Sequence, residues 1–402
     1  MKVTLADIEK ARQVIQPHID QTVCDYSRAA SKIVGTDIYL KLENTQRTGS
    51  FKIRGASYKI STLTESEKKA GVIACSAGNH AQGVALSSST HNIKSVIVMP
   101  VNAPLAKIEA TKNYGSEVIL FGSNIDESKE YSYQLAKEKG YTFIHPYEDE
   151  QVIAGQGTLG LEILEQISDL DSVVIPLGGG GLISGVAVAL KSINPKIKIY
   201  GVQTAAIPTM SQLFHTKSFE EIPSKITTFA DGIAIRRPSQ KIFDSFISKY
   251  VDDIVTVTEG QIAEAIVFLM ERVKTVAEGS GAVALAAAFN CKMDLGKKTC
   301  LFVCGGNVDL NTISGAIQHG QIQRGRLCEL SVIMPDIPGS LSLLTKILAE
   351  EKANILEVHH DRIGQDLGMK ETKIDFVLET INHDHILKIR ESISKIGARF
   401  AG

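Results

Sequence analysis

Short β-branched runs alternate with amphipathic stretches over most of the chain. The apolar runs fall at 38–42, 71–75, 95–99, 117–121, 173–175, 197–202 and 300–303, and helix-period segments lie between them, among them 106–114, 126–139 and 262–277. This alternation predicts βαβ units and mostly parallel sheets covered on both faces, an α/β fold.

After Leu310 one more helix is expected to about Gly320, followed by the basic stretch Gln321-Ile322-Gln323-Arg324-Gly325-Arg326. There the pattern changes. Residues 327–334 read as a strand, Pro335-Asp336-Ile337-Pro338-Gly339 as a turn, and 340–348 as a helix with Ser340 as its cap. A strand over 353–362, a strand over 370–379 and a helix over 383–396 complete a βαββα order, that of a ferredoxin-like α+β unit separate from the main sheet. The expected boundary lies near Arg326. Neither an internal repeat nor a low-complexity segment is evident.

At 402 residues the chain has room for two or three domains, each with its own core. Its 44% hydrophobic and 22% charged content is ordinary for a globular protein, and a net charge of -2 gives no electrostatic case for nucleic acid or an anionic membrane. The expected partners are small molecules or other protein chains. The N-terminus carries acids early and lacks an apolar core, so no secretory signal is read there, and no segment approaches the roughly 18 uninterrupted apolar residues of a membrane helix. Six cysteines (24, 75, 291, 300, 304 and 328) are scattered without a disulfide framework or CxxC spacing, which points to a reduced, cytoplasmic protein.

Candidate chemistry centres on the tetraglycine run Gly178-Gly179-Gly180-Gly181, which joins an apolar strand to the helix-like Leu182-Ile183-Ser184-Gly185. Without side chains, successive N–H groups can converge on an anion that the helix dipole also favours. The run lacks the Lys-Ser/Thr of a P-loop, and no acidic partner follows about twenty residues on, so neither nucleotide fingerprint is met. Three other Gly-rich loops also follow strands: Thr48-Gly49-Ser50-Phe51-Lys52, Ser76-Ala77-Gly78-Asn79-His80 and Cys304-Gly305-Gly306-Asn307. In an α/β sheet such loops lie at the carboxyl edge, where ligands bind. Lys52 alone reads most simply as a solvated helix-start residue. Beside a phosphate cradle it acquires a purpose, since an amine and a phosphate anchor are what pyridoxal phosphate (PLP) requires.

These four loops, in this order over about residues 5 to 320, resemble the signature loops of the threonine dehydratases (threonine ammonia-lyases) among the fold-type II, tryptophan-synthase-β-like PLP enzymes. The tail from Leu327 is similar to the ACT-like regulatory domains that many of them carry. The resemblance implies a PLP-dependent catalytic domain over 1–326, with a small subdomain of about 55–148 inserted in the larger one, and an ACT-like domain over 327–402. A homo-oligomer, dimer or tetramer, is expected.

Carried over, the resemblance assigns Lys52 as the lysine that holds PLP as a Schiff base and Phe51 as its packing neighbour. Asn79 bonds the PLP 3-hydroxyl, and Ser76, Ala77, Gly78, Asn79 and His80 receive the substrate. Gly178, Gly179, Gly180, Gly181 and Leu182 hold the phosphate, Gly232 and Glu278 lie near the cofactor, and Cys304 faces the pyridine nitrogen. A neutral thiol, its reference pKa about 8.5, cannot keep that nitrogen protonated as a carboxylate would, which suits elimination. Lys52 removes the Cα proton, the hydroxyl leaves with a proton supplied near the phosphate, and the product hydrolyses to 2-oxobutanoate and ammonia; serine gives pyruvate.

Ala77 stands where related serine racemases place a second serine, so elimination is favoured over racemisation. Gln203 stands where metal-dependent relatives have glutamate, and no metal is expected. His359 and His360, adjacent on a strand, point to opposite faces and cannot readily chelate together. Cys300 shares a strand face with Cys304 and reads as a buried thiol, and Arg236-Arg237 as a solvated loop. In the tail, the turn 335–340 sits where ACT-like domains bind amino acids between paired copies, so isoleucine or valine is the expected effector. Rival readings are a β-replacing enzyme of the cysteine synthase type, which usually shows Asp-Arg after its lysine where this chain has Ile53-Arg54, a serine racemase/dehydratase, and a non-catalytic amino-acid sensor.

Overall fold

The computed structural model describes residues 1–401 apart from Ser224 and 364–366. The chain divides into two compact units, Met1–Ile313 and Ser314–Gly402. The division falls inside the helix Leu310–Gln323, whereas the boundary expected near Arg326 lies just past its end.

The first unit is built on two sheets. The larger has six strands in the order Cys24–Tyr26, Asp37–Leu42, Lys298–Val303, Ser172–Pro176, Lys198–Thr204, Asp253–Val257. All pairings are parallel except that of the edge strand Cys24–Tyr26. The smaller sheet is wholly parallel, in the order Glu117–Leu120, Ser95–Met99, Val72–Cys75, Thr142–Phe143. Its residues intervene in sequence between two strands of the larger sheet, Asp37–Leu42 and Ser172–Pro176. Every residue of Val72–Cys75, Ser95–Met99 and Ser172–Pro176 is buried, as parallel strands covered by helices on both faces must be. Each Val or Ile taken out of water there contributes about 1.5–3 kcal/mol.

The helix read as 262–277 is shorter than its apolar period suggests. It runs Glu259–Phe268, opens into a π turn at Leu269–Val273 and stops where Lys274 takes φ +64°. Thr275 to Ala277 then lie outside regular secondary structure before the next helix.

The second unit has one antiparallel sheet, ordered Asn354–Asp361, Glu371–Glu379, Leu327–Pro335, Arg399–Phe400, with helices Ser340–Glu350 and His383–Ser394. Alternate residues Thr372, Ile374, Phe376 and Leu378 are buried, the last three in the core with Leu344, Leu348, Ile389 and Ile393. The unit is βαββαβ rather than βαββα, because a two-residue closing strand follows the last helix. Ser340 is not the cap either. Gly339, at φ +100°, occupies that position, and the Ser340 hydroxyl donates back to the Pro335 carbonyl at 2.7 Å.

Candidate functional site

Four helices of the first unit begin at one cavity of about 350 Å³: Lys52–Ser61, Asn79–Thr90, Gly181–Ile193 and Gly279–Asn290. Their preceding residues are Phe51, Gly78, Gly180 and Glu278, and none of the four carries a side-chain cap. Elsewhere the same chain caps helices with Thr4, Ser27, Thr64, Asn124, Asp149 and Thr258. Four uncapped N-termini therefore direct backbone N–H groups and the positive ends of their dipoles toward one space, which suits an anionic ligand.

The tetraglycine loop sits on the wall of this cavity. Gly180 adopts φ +89°, and a Cβ on Gly179 would lie 2.2 Å from the Tyr147 ring, so the loop has no room for side chains. Lys52 is half-buried as the first residue of its helix, and its Nζ donates to the Pro146 carbonyl at 3.1 Å. That amine also lies 5.2 Å from the Phe51 ring centroid. Burial pushes its pKa down to about 8, against the opposing pull of Cys304 and Glu278. A lysine amine is thus held close to the point where it can act as nucleophile and base near neutral pH.

Burial likewise raises the Cys304 thiol well above its ordinary range, with Glu278 adding to the effect, and the thiol donates to the Ser280 carbonyl at 3.4 Å. Cys304 is a neutral group. Burial moves the Glu278 carboxyl up to about 7, although Ser280 and Asn79 both donate to its Oε1, at 2.5 and 2.7 Å. His80 Nε2 pairs with the Ile144 carbonyl at 2.8 Å, and burial together with Lys52 lowers its pKa to about 3, so the imidazole is neutral. Within the 76–80 loop the Gly78 N–H donates to the Ser76 hydroxyl at 3.2 Å.

Every candidate residue taken from the sequence lines this one cavity: Phe51, Lys52, Ser76, Ala77, Gly78, Asn79, His80, Gly178, Gly179, Gly180, Gly181, Leu182, Gly232, Glu278 and Cys304. Asp231 and Ser280, close in sequence to Gly232 and Glu278, line it too, and so do Lys107, Ile125, Pro146 and Tyr147, to which no sequence motif points. Tyr147 follows no strand-loop glycine motif, and the Lys107–Asp231 ion pair at 3.1 Å joins segments far apart in sequence. Behind the site, Arg54 binds both Glu43 and Glu162, and Lys41 binds Glu162, in a buried cluster of two cations and two anions. It fastens the Lys52 helix to Glu150–Gln166.

Of the residues outside the cavity, Gln203 Oε1 accepts the Ser211 N–H at 2.8 Å. His359 and His360 stand opposite Asp375 and Ile374 on the strand Asn354–Asp361. Cys300 is buried with its Sγ 3.9 Å from that of Cys24. Arg236 donates to the Ile226 carbonyl, and the exposed Arg237 pairs with Glu221. Among the described residues no helix is long and apolar enough to cross a membrane.

The family model for pyridoxal-phosphate dependent enzymes matches residues 15–306. An L-threonine ammonia-lyase of Thermotoga maritima is 46% identical over 388 residues, 96% of each chain. Among solved structures, maize serine racemase superposes with a TM-score of 0.75 at 34% identity, covering 79% of this chain and 97% of that one. A threonine deaminase from T.th. gives a TM-score of 0.72 at 35% identity, covering 76% of this chain and 99% of that one.

Proposed function

The chain belongs to the pyridoxal-phosphate-dependent enzyme family, and on that footing we propose that it catalyses the elimination converting L-threonine to 2-oxobutanoate and ammonia. The observation that carries the reading is the Lys52 amine, tuned by burial and set among four uncapped helix N-termini. PLP fits these residues. Lys52 offers the amine its aldehyde needs, and Gly178 to Leu182 offer side-chain-free backbone at a helix start for its phosphate. The neutral Cys304 thiol suits a pyridine nitrogen that carries no proton.

Bound PLP supplies an electron sink for the substrate's α-carbon. The chain's residues do the rest. The 76–80 loop receives the carboxylate, and Lys52 takes the Cα proton once its amine is free. The Cα–H and Cβ–O bonds break, water departs, and the released enamine takes up water and loses ammonia. L-Serine follows the same course to pyruvate, because one methyl in an apolar pocket discriminates by only about 1–3 kcal/mol.

Racemisation is the second reading, prompted by the likeness to serine racemase. It requires a proton carrier on the opposite face of Cα, and the methyl of Ala77 cannot serve. The test is product identity. Holoenzyme given L-threonine should release 2-oxobutanoate, L-serine should yield pyruvate without D-serine, and O-acetylserine with sulfide should yield no cysteine. Absence of keto acid from either amino acid would refute the proposal and leave the sensor reading.

The part of the second unit from residue 327 onward is proposed as an ACT-like regulatory domain. Two features support this: the turn at Gly339 opens an uncapped helix, and the edge strand Asn354–Asp361 exposes Leu356 and Val358. An open sheet edge of this kind is covered when copies pair, in keeping with a dimeric or tetrameric cytoplasmic enzyme. Isoleucine or valine bound at 335–340 then shifts activity through different affinity for two states. Deleting 327–402 should abolish the effector response and spare turnover; an unchanged response would refute it.

A further inference from the structure

A hydrogen-bond chain runs from the Thr48 carbonyl to the Glu278 carboxyl through two amides. Asn307 Nδ2 donates to Thr48 O at 2.6 Å and to Asn79 Oδ1 at 2.8 Å. Asn79 Nδ2 donates onward to Glu278 Oε1 at 2.7 Å, and Ser280 Oγ donates to the same oxygen. The direction of this chain is determined at its ends. A carbonyl can only accept, so Thr48 orients the Asn307 amide with its NH2 inward. Glu278 Oε1 accepts from both Asn79 and Ser280, so Asn79 turns its NH2 the other way. With Oδ1 and one N–H committed, Asn79 keeps a single N–H for the cavity it lines.

Asn307 itself is rigidly seated. The Gly306 N–H donates to Gly49 O at 2.9 Å and the Phe51 N–H to Cys304 O at 3.2 Å, which binds the 304–307 loop to the segment leading into Lys52. Gly49 has φ +68°, and a Cβ there would lie 2.4 Å from Asn307 Oδ1. The glycine leaves the space that the Asn307 amide occupies.

We infer that Asn307 is a positioning residue, which fixes the flip of the Asn79 amide so that its remaining N–H is presented to the cofactor's ring oxygen. The inference rests on the reading of Asn79 as the ligand of that oxygen. Asn307→Asp preserves size but replaces the NH2 that makes both bonds with an acceptor oxygen. Asn79 then has no donor for its Oδ1 and is driven to turn its NH2 toward residue 307.

The experiment titrates each apoprotein with PLP and follows the visible absorption of the bound cofactor against pH, for wild type, Asn79→Ala, Asn307→Asp and the double variant. Asn307→Asp should weaken PLP binding about tenfold, the loss of one hydrogen bond to a charged group. It should move the absorption midpoint in the same direction as Asn79→Ala, and the double variant should add nothing further. Asn307→Gln, which keeps an amide donor on a longer arm, should recover part of the loss. Should Asn307→Asp fail to fold, Asn307→Ala removes the donor without a new charge and is read the same way. A shift in Asn79→Ala with none in the Asn307 variants would overturn the inference. No shift in Asn79→Ala would overturn the reading beneath it.

Discussion

Lys52 Nζ donates to the carbonyl oxygen of Pro146 at 3.1 Å, and the next residue, Tyr147, lies against Gly179 of the tetraglycine loop. A single bend of chain thus touches both the amine and the phosphate cradle. Burial lowers the pKa of this half-buried amine to about 8, which gives a direct prediction.

An amine with a pKa of about 8 is roughly one-tenth neutral at pH 7 and almost fully neutral above pH 9. Only the neutral form attacks an aldehyde. Capture of PLP by the apoprotein should therefore quicken about tenfold between pH 7 and pH 9 and then level off. Stopped-flow absorbance measures it. A rate still climbing tenfold per unit above pH 9 would show an ordinary lysine.

The glycine at 179 should not tolerate even one added carbon. Gly179→Ala places a Cβ on the Tyr147 ring, whose near edge belongs to a packed side chain rather than a free tip. The expected result is PLP binding weakened at least about tenfold, with the loss partly restored in Gly179→Ala/Tyr147→Ala. Equal PLP affinity in wild type and Gly179→Ala would contradict this close packing.

Arg54 cannot be removed cheaply. Arg54→Gln leaves Glu43 and Glu162 buried with Lys41 as their remaining cation, and a broken buried ion pair costs about 3–5 kcal/mol. Urea unfolding of the apoprotein gives the number. Burial alone would raise the Glu162 carboxyl, yet Arg54 and Lys41 hold it below the usual carboxylate range. A group depressed in the folded state stabilises above its unfolded pKa of about 4.3, and that contribution fades as pH falls through the folded value. The melting temperature should therefore drop steeply below about pH 4; a flat profile to pH 3 would contradict the cluster's role.

What the sequence disclosed and what it hid divide along physical lines. Lys52, Asn79, the tetraglycine run and Cys304 were legible because each sits in a local strand-to-helix turn with its own composition. Asn307 was legible only as part of a motif, since its partners Thr48 and Asn79 lie 259 and 228 positions away. The Arg54 cluster was hidden for the same reason, Glu162 being 108 positions from Arg54. Strands Cys24–Tyr26, Thr142–Phe143 and Arg399–Phe400 are too short to show a period, and they exist because neighbouring strands offer them an edge. The helix ending at Val273 has no Gly or Pro to announce its stop. Ser340 looked like a cap because its side chain is a cap's side chain; the left-handed Gly339 before it took the position.

The most direct test is keto-acid release from L-threonine by the PLP-loaded wild type and by Lys52→Ala, measured side by side. Wild type should form 2-oxobutanoate and ammonia in equal amounts, and Lys52→Ala should be slower by about 10²- to 10⁴-fold, the loss expected when a positioned base disappears. Turnover of threonine by Lys52→Ala at the wild-type rate would contradict the account.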